Sequence, residues 1–532
     1  LGIFAPKLFE HAVKRGLQEY IDAGLKEMKQ LKDKRVYVPI DYNKIPENAN
    51  IIPLMLILHE KILAHTGELE RIKGRCVARG DKEQKYVDYV NTFAPVVHPI
   101  TQKIALVLFL DYGMYIFYID VEGGFLNTKL KKPIYARLPK GFTDDGMEYA
   151  IIWKNLYGMH ESGARFSQHI MRVIRDFKKF DKNKVDACFY VYQVNYEVVA
   201  LMIRATDNLL IGVRPDQTVL IQNIRDFLKE NDLPTTMENK NSILGMAVSY
   251  TVRDKLIIHN VKYIEHLAAK YGINDKCRKV WTPMDTNVYG VLFTAAQQKE
   301  KGELKSTDLH FPSIIAEIQR FGRVFRPDVL FASVLLSRNT HDWSITHVRL
   351  AIRVVKYLYT TRGMVWNYTY KGIRKQQKHV LKLVFDSDFA NCKRTRKPVS
   401  GGVFYLNDHS IAHISKQQTK VCTSVGEAET TSAFVGCKTL VFMKNLLQQH
   451  FEVELPMIVK GDNNTALAYM VNEECSEKNK HWDIELKYLN ELYTDGLILP
   501  EKVDSEDNES DMHTKPLPRD AFERHRRTIG IY

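Results

Sequence analysis

Four acidic residues in the last third of the chain stand where strand patterns end or a helical pattern begins. Asp386 closes the run LKLVF, Glu429 lies near the start of a helical stretch, Asp462 follows MIVKG, and Asp511 precedes Thr-Lys-Pro. An aspartate after a strand is ordinarily a turn former or helix cap, and each acid alone has that explanation. Four of them in a β-β-β-α-β-α order have a further one. Two divalent ions about 3.5–4 Å apart need several carboxylates converging from different strands and a helix. Such a pair activates water on one side of a phosphodiester and stabilises the leaving oxygen on the other. All-oxygen donors suit Mg2+, with Mn2+ as the alternative ion.

The first half holds a second set. Asp120 ends a strand pattern that runs into Gly123 and Gly124, and Asp207 and Asn208 stand at the tip of a hairpin pattern, EVVALMI followed by TDNLLIG. An Asp-Asn pair at a hairpin tip is, by itself, simply a good turn. A basic segment, Arg71 to Gly80, supplies Lys73, Arg75 and Arg79; on residue types alone it reads as a solvated strand.

Elements that position these residues are legible in the periodicity. Leu17, Tyr20, Ile21, Leu25, Met28 and Leu31 recur at helical spacing, and Ile51 to His59 reads as a strand. The apolar run Ile104 to Leu110 is strand or helix core, too short to span a bilayer. Residues near 215–230 and 260–271 read as amphipathic helices, and 310–365 as almost entirely helical. From Val380 onward strands alternate with helices, including a helix from Ala428 to Phe451. The Lys/Arg/Gln-rich stretch at 370–378 is the clearest linker candidate.

The chain has 532 residues, 45% hydrophobic and 26% charged, a composition that excludes wholesale disorder and accommodates several domains. A formal net charge of +13 points to a polyanionic partner, nucleic acid before membrane. Seven scattered cysteines without a C-x-x-C pair argue against a zinc site or a disulfide framework. The sequence starts at Leu1 without an initiator Met or a signal peptide and reads as a piece of something longer.

The segments FDSDFANCKRTRKPVSGGVFYLN, CTSVGEAE, GDNNTALA, KNKHWDIE and DMHTKPLP follow the order and spacing of the RNase H domain of copia-like retrotransposons. Upstream, GRCVARGDKEQ, YIDVEGGFLN, YARLPKGF, NLYGMHESGARF, ILGMAV, KYIEHLAAKYGI and FRPDVLFASVLLSR resemble the same family's reverse transcriptase region. The resemblance runs from about Leu17 to Pro518, and Ser162-Gly163-Ala164 together with CTSVGEAE brings it nearest the fungal type. No Gag, protease or integrase signature is present in these residues.

The resemblance implies an α+β fold: a right-hand polymerase of fingers, palm and thumb, followed by an RNase H-like α/β domain with a mixed sheet. It divides the chain into an N-terminal helical or fingers extension (1–60), fingers and palm (61–275), a helical thumb or connecting region (276–375) and the RNase H-like domain (376–532). It implies an RNA-directed DNA polymerase joined to a ribonuclease, with two Mg2+ per active site. Asp386, Glu429, Asp462 and Asp511 match the nuclease ligands; Glu427 and Asp388 are the neighbours most easily confused with them, and His481 lies in the family's K-H-[IW]-D segment. Asp120 and Asp207 match the polymerase ligands, and Phe125 the bulky residue that crowds the sugar 2′ position. Lys73, Arg75 and Arg79 match the basic residues that reach the triphosphate.

Two positions depart from the family. The hairpin tip is aromatic-Val-Asp-Asp in the family and Ala205-Thr206-Asp207-Asn208 here, so the second catalytic position holds a neutral amide. Glu161 stands where a glutamine of the nucleotide pocket is usual, setting a carboxylate toward a polyphosphate. Two further readings therefore stand beside the full enzyme: a nuclease alone, and a non-catalytic nucleic-acid-binding remnant. The partners implied are an RNA template, an RNA·DNA hybrid, a DNA primer or product, dNTPs, and integrase or other parts of a parent polyprotein, with no membrane. The location implied is a cytoplasmic particle with nuclear access, not secretion.

Overall fold

The computed structural model describes residues 7–62, 69–237, 242–243, 246–300, 309–372, 377–389, 391–472 and 483–532. His481 lies outside them. Two compact units emerge: Leu1–Val97 with Tyr115–Lys182 and Ala187–Lys240, and His98–Met114 with Asn183–Asp186 and Asn241–Tyr532. Both mix helices with sheets, giving the expected α+β class.

In the first unit a five-stranded sheet runs in the order Tyr37–Ile40, Tyr149–Lys154, Lys129–Arg137, Ile51–Ile62, Leu69–Ala78. The helix Gln18–Asp33 covers it through Met28 and Leu31, the buried members of the predicted apolar stripe. Close approach is permitted by glycine: a Cβ on Gly74 would stand 2.7 Å from the Ala23 carbonyl oxygen. The second sheet of this unit orders Thr235–Met237, Tyr115–Val121, Asn208–Val213, Glu197–Ala205, Phe189–Val194, Asp181–Lys182, antiparallel throughout. Helices Ser162–Asp176 and Val219–Glu230 bury Phe166, Ile170, Ile174, Ile224 and Leu228 against it.

The second unit contains a four-stranded sheet (Ser242–Ile243, Met246–Thr251, Lys255–His259, Trp366–Thr369) and a five-stranded mixed sheet. The mixed sheet orders His409–Gln417, Val399–Leu406, Leu381–Asp388, Met457–Gly461, Ile498–Lys502; its first three strands pair antiparallel and the last two add in parallel. The apolar run near 104–110 is a helix, Pro99–Asp111, buried on nearly all faces. Such a helix belongs inside a core, and period alone could not separate it from a strand. Among the described residues, no helix is long and apolar enough to cross a membrane.

The stretch 370–378 does not coincide with a break between the units. Residues before it and residues of the C-terminal helix after it share one buried polar network. Arg326 meets Asp328 through Nε to Oδ1 at 2.9 Å and Nη2 to Oδ2 at 2.7 Å, and Tyr357 donates its hydroxyl to Asp328 at 2.5 Å. Arg326 also donates to the Thr361 carbonyl at 3.1 Å, while Arg526 from the C-terminal helix reaches the Tyr357 hydroxyl at 3.4 Å.

Burial works most strongly to raise the Asp328 carboxyl, but the charge and hydrogen bonds of Arg326, the Tyr357 hydroxyl and the Arg526 charge together hold the pKa below the ordinary value. Removing the acid strands a buried guanidinium, so Asp328→Ala is expected to cost about 3–5 kcal/mol in urea unfolding. Because the folded pKa is depressed, this stabilisation is present above the unfolded carboxylate pKa and is lost as pH falls through the folded value. In D328A the acid limb of the stability profile should flatten; an unchanged profile would show that the pair contributes nothing.

Candidate active sites

Strand pairing alone assembles the first site. Asp120, near the end of Tyr115–Val121, is register partner to Asn208, the first residue of the neighbouring strand. Asp207 sits in the turn before it, where Thr206 takes a left-handed φ of 57° and the Val121 amide donates to the Asp207 carbonyl at 2.9 Å. Both aspartates thus leave the same end of adjacent strands. Their charges, after burial itself, raise the Tyr118 hydroxyl well above its ordinary pKa. Gly124 faces Asp207: a Cβ there would lie 3.7 Å from the carboxylate Oδ2. Phe125 next to it packs edge-on to Tyr157 and Phe166, with ring centroids 5.4 and 5.7 Å away.

Asn208 uses both ends of its amide. Its Oδ1 accepts from the Tyr118 hydroxyl, and its Nδ2 donates to Asp207 Oδ1 at 3.1 Å. An aspartate here would set a second negative oxygen against Asp207; the amide replaces that repulsion with a hydrogen bond that orients the carboxylate.

Lys73 and Arg75 share one face of Leu69–Ala78, and the Arg75 guanidinium lies 5.5 Å from the centre of the Tyr157 ring. A chain of contacts therefore runs from Arg75 through Tyr157 to Phe125. Arg79 instead forms a two-pronged pair with Asp81, at 2.9 and 2.6 Å. Glu161 is turned inward: its Oε1 accepts from the backbone N–H groups of Val90 (2.6 Å) and Asn91 (3.2 Å), and the carboxylate pairs with Arg165. Burial favours a higher pKa, yet these donors together hold the Glu161 carboxyl below its ordinary value. Its charge is answered locally, and what it holds is the backbone strap at 90–91.

The second site lies in the mixed sheet of the other unit. Asp386 is on the central strand Leu381–Asp388, Asp462 follows the parallel strand Met457–Gly461, and Glu429 is in the second turn of helix Val425–Leu447. One carboxylate oxygen from each of these three lies within 4.8 Å of the others. Glu427 is committed elsewhere: its carboxylate accepts from the Thr423 amide at 2.7 Å while its own amide donates to Ser424 Oγ at 3.2 Å, capping the helix. Helix and strand are tied by Ser432, whose hydroxyl donates to the Asp386 carbonyl at 2.7 Å.

Asp511 is buried in the short helical turn Glu509–His513 and stands outside that group of three. Its Oδ1 meets Lys515 Nζ at 2.7 Å, one helical turn on. Gly401, register partner of Asp386, makes room for this segment: a Cβ would strike Thr514 Cγ2 at 2.5 Å. Thr514 donates its hydroxyl to Asp386 Oδ2. Sequence reading did not single out Thr514 or Lys515; the i, i+4 spacing of Asp511 and Lys515 was the available signal.

Burial first, then the charges of Asp386 and Asp462, drive the Glu429 carboxyl far above its ordinary pKa, and burial with Asp386 raises Asp511. Asp388 is pushed up to about 6, by burial and by Asp386, against the hydrogen bond from Tyr289 at 3.2 Å. Lys515 is raised, because Asp386 and Asp511 outweigh its burial. Glu429 Oε2 is buried without a hydrogen-bond partner among the described residues. A convergent set of hard oxygen donors with an orphaned carboxylate oxygen fits a divalent cation such as Mg2+.

Residues 37–286 match the family model for reverse transcriptase (RNA-dependent DNA polymerase). The chain is 24% identical over 476 residues to the retrovirus-related Pol polyprotein from transposon TNT 1-94 of Nicotiana tabacum, covering 87% of this chain and 34% of that protein. It is 26% identical to the corresponding polyprotein from transposon RE1 of Arabidopsis thaliana (91% and 32% covered). It is 22% identical to the transposon Ty1-NL2 Gag-Pol polyprotein of Saccharomyces cerevisiae (95% and 28%). The chain thus spans about a third of the length of these relatives. Among solved structures, the foamy viral protease-reverse transcriptase in complex with RNA/DNA hybrid aligns with a TM-score of 0.45 at 13% identity, covering 93% of this chain and 54% of that one.

A cation bound only by the folded state raises stability, by on the order of 2–3 kcal/mol at a hundredfold excess over its dissociation constant. Adding MgCl2 to metal-free protein is therefore expected to raise the melting temperature, and Asp386→Asn to remove the rise. Glu429→Gln should melt higher than wild type without metal, because folding no longer has to protonate a carboxyl whose pKa burial and the neighbouring acids raise, and gain little on addition. A Mg2+-induced rise that survives both substitutions would place the cation elsewhere.

Proposed function

We propose that this chain, a relative of the reverse transcriptase regions of copia-like LTR-retrotransposon Pol polyproteins, copies RNA into DNA and hydrolyses the RNA of the resulting hybrid. The cluster of Asp386, Glu429 and Asp462 is the observation that carries the nuclease half of this reading. The polymerase half rests on the reverse transcriptase match over residues 37–286 together with Asp120 on one strand and Asp207 in the turn that opens its neighbour.

In the polymerase site Asp120 and Asp207 would hold Mg2+, and Asn208 orients Asp207 without adding charge. Lys73 and Arg75 receive the triphosphate of the incoming nucleotide, and Phe125, wedged against Tyr157 and Phe166, crowds the sugar's 2′ position. In the nuclease site Asp386, Glu429 and Asp462 would hold the metals, with Asp511 as the fourth acid and Lys515 beside it. When bound, paired Mg2+ ions supply a lowered water pKa and neutralise charge on the leaving oxygen. Thr514 keeps Asp386 in its rotamer, and Ser432 locks strand to helix so that the acids stay in place. The net charge of +13 supports a grip on hybrid phosphates that weakens as salt rises. Integrase or other parts of a parent polyprotein, and particles in the cytoplasm, complete the proposed context.

A second reading keeps only the nuclease, and Asn208 motivates it: the polymerase site has one negative charge fewer than a two-aspartate tip.

The deciding experiment incubates purified protein with a labelled RNA·DNA primer-template and Mg2+, scoring primer extension and RNA cleavage in one tube. Asp386→Asn is expected to lower cleavage at least about a hundredfold and leave extension intact, and Asp120→Asn to do the reverse. Asn208→Asp is expected to raise extension. Cleavage without extension in either wild type or N208D would leave the nuclease alone, and neither product would reduce the chain to a nucleic-acid-binding remnant.

A further inference from the structure

A cavity of about 650 Å3 in the second unit lies apart from the three-carboxylate cluster. Its wall draws on helix Val288–Glu300, the end of helix Leu330–Ser337 and the loop that follows strand Leu381–Asp388. Arg338 lines it, and the three guanidinium nitrogens are closed off from solvent without a hydrogen-bond partner among the described residues. Burial lowers the Arg338 pKa, and nearby Tyr289, Cys392 and Asp388 only partly offset it. A buried cation without a partner is costly, so its retention calls for a reason.

The rest of the lining supplies one. Lys393 and Arg394 stand exposed at the rim, and Asp342 is the one acid among the lining residues. Three cations against one acid leave the cavity positive. Tyr289 and Phe293, one helical turn apart, add aromatic rings, with Lys393 Nζ 5.7 Å from the Phe293 ring centre. A simple anion would use the charges and leave the rings idle; a purely apolar ligand would do the opposite.

We propose that this cavity binds a nucleotide unit, its phosphate held by Lys393 and Arg394 over the buried charge of Arg338 and its base against Phe293 and Tyr289. The volume is in the range of small-molecule sites. Two sources carry this chemistry, a free nucleotide and one unit of a nucleic-acid strand. Tyr289 also donates to Asp388, two residues from Asp386, so occupancy would bear on the nuclease strand through a single side chain. Neither catalytic activity is needed for the binding itself.

The test uses the full chain in EDTA, where carboxylate-bound metal contributes nothing. Two probes are followed by fluorescence anisotropy: labelled ADP, and a labelled 5′-phosphorylated single-stranded oligonucleotide. The variants are Lys393→Ser with Arg394→Ser, and Phe293→Ala, all at exposed positions, each checked by thermal melting. Arg338→Met is a third. At least one probe is expected to bind, about tenfold or more weakly in each variant. Binding of ADP assigns the free nucleotide; binding of the oligonucleotide alone assigns the strand. The Phe293→Ala arm separates a nucleotide site from general attraction to a basic rim, which needs no ring. Binding of neither probe, or binding indifferent to F293A, overturns the proposal.

Discussion

Carboxylates brought within a few ångströms of one another repel, and burial removes the water that would screen them. Everything around Asp386, Glu429 and Asp462 works against that repulsion. The central strand of the mixed sheet holds Asp386 through antiparallel pairing on one edge and parallel pairing on the other. Glu429 is carried on a capped helix tied to that strand by Ser432. Thr514 donates to Asp386, and Lys515 brings a positive charge to Asp511. Burial first, and then the charges of the neighbouring acids, raise the carboxyl pKa values of Glu429 and Asp511.

The first unit meets the same constraint more weakly. Asp120 and Asp207 are only half-buried, and their separation is governed by the pairing of strands Tyr115–Val121 and Asn208–Val213. There the neighbour is the neutral Asn208, which answers Asp207 with a donor. Glu161 shows a comparable local settlement. Read from residue types, a carboxylate among nucleotide-binding positions is an electrostatic fault; in the structure, Arg165 and two backbone amides absorb it. The departures from the family pattern are thus accommodated by neighbours, and neither disturbs the backbone that positions Asp120 and Asp207.

How much of this could be read in the sequence depended on the range of the interaction. Short-range signals were good guides. The apolar stripe of Leu17 to Leu31 and the helices near 215–230 and 260–271 are helical, and the alternation from Val380 onward is the mixed sheet. The acids at strand ends were visible because strands end where turn-forming aspartates stand. Tertiary choices were not visible. The run around Ile104 to Leu110 gave no period to separate helix from strand, and its identity depends on being surrounded. The Lys/Arg/Gln-rich stretch at 370–378 looked like a linker by composition, yet Arg326, Asp328, Tyr357 and Arg526 knit residues on both sides of it into one unit. Thr514 belongs to a motif in the sequence, but its role exists only through its contact with Asp386 on the sheet.

Charge balance separates the two sites. The mixed sheet brings Asp386, Glu429 and Asp462 together, and beside them Asp511 is answered by Lys515. The first unit sets only Asp120 and Asp207 at neighbouring strand ends, with the neutral Asn208 donating to Asp207. On the proposed two-metal reading, cations at the first site would have to draw more of their balancing negative charge from a bound triphosphate than cations at the second. The neutral residue at position 208 would deepen that dependence, since each charge absent from the protein side would have to come from the substrate.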